Sequence, residues 1–107
     1  MEVTFYRDTE GTVRGFQVSG HSGYAESGKD ILCSAVSALT LNTVNSIEAF
    51  TEDEVDALAV NEEEGFLHFR LKTVSEKSKL LLDSLVLGIT EIEKSYSGYL
   101  KVCNEEE

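Results

Sequence analysis

Residues 30–50, DILCSAVSALTLNTVNSIEAF, carry apolar side chains at Ile31, Leu32, Ala35, Val36, Leu39, Val44 and Ile47. Steps of mostly three and four residues return to one side of a coil with 3.6 residues per turn, so the segment predicts an amphipathic helix ending at about Phe50. On its N-terminal side, residues 2–7 alternate with Val3 and Phe5 on one face, and residues 13–18 follow a turn at Glu10-Gly11. That pattern fits the two strands of a hairpin. On its C-terminal side, residues 55–61 and 66–72 flank an acidic turn at 62–65, with Leu67, Phe69 and Leu71 sharing one face of a second hairpin. Thr73, followed three residues later by Glu76, has the form of a capping box, and the run 80–96 is helical in length and composition. The order strand, strand, helix, strand, strand, helix (ββαββα) predicts an α+β fold: a two-layer sandwich whose four-stranded sheet carries both helices on one face.

The 107 residues are 41% hydrophobic and 27% charged, with no proline and only scattered glycines, so one domain over residues 1–107 is expected, without a linker. Twenty acidic against nine basic residues leave a net charge of -11. Such a surface repels phosphates, which argues against direct nucleic-acid binding, and it favours basic partners. Cys33 and Cys103 are too few and too far apart for a disulfide-stapled secreted scaffold. The N-terminus has no basic start leading into an apolar run, and no stretch reaches membrane-span length. A cytoplasmic protein without a membrane partner is the expectation. The second helix carries Leu80, Leu81, Leu82, Leu85, Val86, Leu87, Ile89 and Ile92, a stripe wider than one sheet contact needs. A homodimer interface and a packed neighbouring helix account for it equally well.

Chemistry concentrates between the second strand and the first helix. Ser22, Gly23 and Gly28 belong to a small-residue loop of the mobile kind that opens for a substrate. With Asp30 as N-cap, its side chain accepts from the amides of Leu32 or Cys33, and Cys33 falls in the first helical turn. The partial positive charge of a helix start favours a thiolate there, and His21 is placed to supply the imidazole that a cysteine nucleophile needs. A carboxylate aimed at the sulfur would oppose the thiolate, so Asp30 is assigned to capping or to orienting the histidine. Taken by itself, a cysteine in a helix is more often a small core residue, and a loop histidine is more often structural. Ser37, one turn after Cys33, fits either an exposed or helix-bonded serine or a residue lining the site. His68 alternates on the face opposite Leu67 and reads as structural, and Cys103 reads as an ordinary free thiol. Two histidines and two dispersed cysteines give no metal-ligand spacing, and no cofactor is expected.

Gly20-His21, then Gly28-x-Asp30, two aliphatic residues, Cys33 and finally Ser37 make a pattern that resembles the ribosomal-processing cysteine protease family of bacteria, Prp. Ser22 and Leu32 stand where that family more often has alanine and valine, and neither change touches the reacting groups. The resemblance implies a homodimeric endopeptidase that removes a short N-terminal extension from a large-subunit ribosomal protein. It implies Cys33 as nucleophile and His21 as its acid and base, with Gly20, Asp30 and Ser37 supporting them or binding substrate. Helix amides near Cys33 are the expected oxyanion donors. A non-catalytic acidic module that binds a ribosomal protein or an assembly factor is the alternative from another class, and it requires an inert Cys33. A thiol redox sensor would use the same cysteine but has no resolving cysteine beside it.

Overall fold

The computed structural model describes residues 1–21 and 30–107. Its elements are β1 (Glu2–Arg7), β2 (Val13–Ser19), α1 (Ile31–Phe50), β3 (Val55–Asn61), β4 (Phe66–Leu71), α2 (Glu76–Ser95) and β5 (Lys101–Glu106). The sheet order is β3-β4-β2-β1-β5. The first four strands pair antiparallel, and β5 runs parallel to β1.

Register explains why the alternating residues become a core. Phe5 stands opposite Phe16, which stands opposite Phe69, and Val3, Val18 and Leu67 form the next row. The rings of Phe5 and Phe16 lie 6.5 Å apart between centroids, and those of Phe16 and Phe69 lie 5.6 Å apart, both tilted. Against this face pack Leu32, Val36, Val44 and Ile47 of α1 and Leu82, Leu85 and Ile89 of α2. Both helices therefore cover the same side of the sheet. Each such fully buried side chain contributes about 1.5–3 kcal/mol relative to exposure.

The sheet has five strands, where the sequence pattern predicts four. Lys101–Glu106 reads as a charged tail because it is largely exposed and only Val102 among its residues packs against the core. What holds it is the backbone ladder to β1, extended by Lys101 N donating to Met1 O (3.0 Å) and Glu107 N donating to Arg7 O (2.9 Å). Hydrogen bonds of that kind leave no mark in side-chain periodicity. Cys103 consequently sits in an edge strand, opposite Thr4, as a free thiol.

The start of α2 is also corrected. Ser75, not Thr73, is the N-cap, and its hydroxyl accepts from Ser78 N at 3.3 Å. Asp53 explains the choice. Its carboxylate accepts from Ser75 N (3.0 Å), Ser75 Oγ (2.6 Å) and Ser78 Oγ, and these bonds hold its pKa below the usual carboxylate value. The leucine stripe of α2 divides: Leu82, Leu85 and Ile89 are buried, Leu81, Val86 and Ile92 flank the core, and Leu80 and Leu87 face solvent. Helix α1 takes part of it, with Leu39 reaching Gly88. No helix among the described residues is long and apolar enough to cross a membrane.

Candidate active site

The first turn of α1 is organised by Asp30. The residue is buried and extended (φ -81°, ψ 95°), and its Oδ1 accepts from Leu32 N (3.0 Å) and Cys33 N (3.1 Å). Because α1 begins at Ile31, Cys33 is the third helical residue, held where the axial dipole favours negative charge. Asp30 Oδ2 points at the sulfur and accepts from Cys33 Sγ at 3.1 Å. The carboxylate therefore caps the helix and holds the thiol proton, an arrangement that keeps the resting sulfur protonated.

His21 arrives from the sheet. Gly20 follows the end of β2 with φ +80°, a conformation that side chains resist, and it turns the chain so that His21 Nδ1 lies 3.9 Å from Cys33 Sγ. The nitrogen of Met1 lies 3.1 Å from His21 O. The imidazole Nε2 lies 3.0 Å from the carbonyl oxygen of Glu63, in the turn between β3 and β4.

An open cleft runs from this pair between α1 and the β3–β4 hairpin. Ser37 lines it one turn beyond Cys33 and is exposed, while Leu41, Val60 and Phe66 give it apolar walls and Glu62 a charged rim. A cleft with apolar walls and two reactive groups among its lining residues suits a ligand that carries apolar side chains.

The structure thus brings Gly20, His21, Asp30, Cys33 and Ser37 to one place. Ser22, Gly23 and Gly28 lie outside the described residues. The expectation of helix amides as oxyanion donors meets an obstacle. The amides of Leu32 and Cys33 donate to Asp30 Oδ1, and that of Ser34 donates to Asp30 O at 3.1 Å. The contribution of the β3–β4 hairpin is absent from the sequence reading, where residues 62–65 count only as a solvent-exposed acidic turn. Val60 of β3 is exposed and lines the cleft, which alternation along the strand does not reveal.

His68 lies on the open face of the sheet with Nδ1 3.0 Å from Gln17 Oε1 and its ring edge-on to Tyr6. Partial burial and then the nearby Arg70 charge lower its pKa. Among the described residues there is no cluster of histidine, cysteine, aspartate and glutamate able to hold a metal ion.

A family model described as "Cysteine protease Prp" matches residues 1–101. The ribosomal processing cysteine protease Prp of Bacillus subtilis is 25% identical over 107 residues, with 95% of each chain covered. An essential ribosomal processing protease Prp from S. aureus, crystallised with a covalently linked product peptide, superposes with a TM-score of 0.90 at 26% identity, covering 97% of this chain and 98% of the other. The crystal structure of SMU.848 from Streptococcus mutans superposes with a TM-score of 0.84 at 30% identity, covering 99% and 94% of the two chains.

Proposed function

Since the chain belongs to the cysteine protease Prp family, we propose that it is an endopeptidase working through a Cys33–His21 dyad, with the N-terminal extension of a large-subunit ribosomal protein as its substrate. The observation that carries this reading is the convergence of Cys33 Sγ and His21 Nδ1, 3.9 Å apart in the wall of an open cleft. Two groups at that separation need only a side-chain rotation to exchange a proton. The names of relatives in Bacillus and Staphylococcus as ribosomal processing proteases support the choice of substrate, as does the S. aureus relative with a product peptide joined to it.

In the reaction, the Sγ proton passes from the Asp30 side to His21 Nδ1 as the thiol turns, and the thiolate attacks the scissile carbonyl carbon. His21 Nδ1–H then protonates the leaving amine, and a thioester to Cys33 remains. Water, deprotonated by His21, hydrolyses the thioester and restores the thiol. With the amides of Leu32 and Cys33 donating to Asp30, Ser37 on the cleft wall is one hydroxyl among the described residues placed to donate to the substrate carbonyl or to an adjacent peptide group. Gly20 serves by its backbone and Asp30 by its cap. No cofactor enters this chemistry.

The same reading includes a homodimer in the cytoplasm. Leu58 pairs across β3–β4 with Phe69, which places it on the core side of the sheet, yet it is 51% exposed at the edge and lies outside the cleft lining. A second copy covering that edge accounts for an apolar side chain left there. A chain whose two cysteines, Cys33 and Cys103, are too few for a disulfide-stapled scaffold fits a reducing compartment.

The test is mass spectrometry of the precursor ribosomal protein incubated with this protein, beside Cys33→Ala. One defined cut is expected, absent in the variant while substrate binding persists. Cleavage that survives in Cys33→Ala removes the nucleophile assignment, and an intact precursor with wild-type protein removes the substrate.

A further inference from the structure

The histidine of a cysteine–histidine pair can work only if the nitrogen facing the sulfur is free to take a proton, so something must decide which ring nitrogen carries hydrogen. In this chain the decision rests with a segment 42 residues away in sequence. A backbone carbonyl only accepts hydrogen bonds, and that of Glu63 lies 3.0 Å from His21 Nε2, so Nε2 carries the hydrogen. In the neutral ring Nδ1 is then unprotonated, and Nδ1 is the atom that faces Cys33 Sγ.

We infer that the β3–β4 turn is the orienting arm of this site: the Glu63 carbonyl fixes the tautomer and plane of His21, and Gly65 is the positioning residue that lets the turn come close enough. Gly65 has φ +64°, and a Cβ added there would stand 2.7 Å from Gly20 O and 3.1 Å from His21 Cε1. The turn is therefore pressed against the two residues that present the imidazole, and it tolerates no side chain at the point of contact. Its own shape is maintained by Gly65 N donating to Glu62 O (3.2 Å) and Glu64 N donating to Asn61 Oδ1 (3.2 Å). The Glu63 side chain has no part in the arrangement; only its carbonyl does. A neutral acceptor orients the ring without taking its proton, so His21 stays free to cycle between neutral and charged forms during the two half-reactions.

The inference rests on the reading of Cys33 and His21 as the reacting pair, and its tests separate the two. In protein carrying Cys33→Ala, nitrogen-15 spectra of the imidazoles should show neutral His21 protonated at Nε2, with His68→Gln assigning the second ring. Protonation at Nδ1 overturns the inference, and this readout needs no turnover. In the active protein, Gly65→Ala should lower kcat about tenfold or more while KM stays within about threefold, because the ring is misdirected while most of the cleft remains. Glu63→Ala, which keeps the carbonyl, should leave kcat within about threefold of wild type. A folded Gly65→Ala protein with wild-type kcat, or a Glu63→Ala protein as impaired as Gly65→Ala, overturns the positioning role. Absence of cleavage by the wild-type protein itself strikes the protease reading and leaves the tautomer result standing.

Discussion

Asp30→Asn should make Cys33 more reactive, although Asp30 belongs to the site. Asp30 Oδ2 lies 3.1 Å from Cys33 Sγ, so a thiolate forms beside a charge of its own sign. Two unit charges at that separation repel by about 1.3 kcal/mol with the dielectric constant of water and by about 5 kcal/mol with an effective value of 20. Cys33 is only partly buried, which favours the lower figure. Removing the charge then raises the thiolate population about tenfold. Asparagine keeps the cap, because its side-chain carbonyl still accepts from Leu32 N and Cys33 N, and its amide group can donate to the sulfur. A less basic thiolate is also a weaker nucleophile, with a Brønsted coefficient of about 0.4–0.5, so the net gain in alkylation at about neutral pH is about threefold or more. The assay is the rate of iodoacetamide labelling followed by intact mass, in a Cys103→Ser background so that one thiol reacts. An unchanged or slower rate in a folded Asp30→Asn protein would refute the placement of a carboxylate against the sulfur.

His68 supplies a pH dependence of stability. Its pKa in the folded protein lies below the ordinary 6.5, so the unfolded chain binds the proton more readily, and the associated stability is present above about 6.5 and lost as pH falls from there towards the folded value. Thermal unfolding should therefore show a smaller loss of Tm between about pH 7.5 and pH 5.5 for His68→Gln than for wild type, and parallel curves would exclude His68 as the source. At the sheet edge, Leu58→Lys should convert a dimer into a monomer in analytical ultracentrifugation while the circular-dichroism spectrum stays that of the folded protein. Sedimentation of the wild-type protein as a monomer at the same concentration would remove that edge as a dimer contact.

Where sequence reasoning succeeded, the deciding interactions were local. The helix starting after Asp30 needs only a short polar residue, two nearby amides and an apolar repeat, all within a few residues. The hairpins around residues 8–12 and 62–65 likewise follow from alternation and turn chemistry. Where it failed, a distant partner intervened. Thr73 with Glu76 satisfies a local capping rule, but the Asp53 carboxylate, reaching across from the β3 side, fixes Ser75 and Ser78 instead. Strand β5 has almost no apolar alternation, because its place depends on the unpaired edge of β1, which sequence periodicity does not describe.

The candidate site divides along the same line. The sequence alone determined the fold class, the cap at Asp30 and the position of Cys33 in the first turn of α1, since each depends on contacts within about one helical turn. It also marked His21 and Ser37 as groups to watch. Only the tertiary structure decided that Asp30 turns its second oxygen to the sulfur, that His21 presents Nδ1 rather than Nε2, and that the turn at Glu63 and Gly65 stands behind the imidazole. The physical reason is that hydrogen-bond direction and close approach are properties of atoms in space. The sheet order β3-β4-β2 carries one hairpin's turn to the end of another hairpin's strand, and no spacing along the chain encodes that meeting.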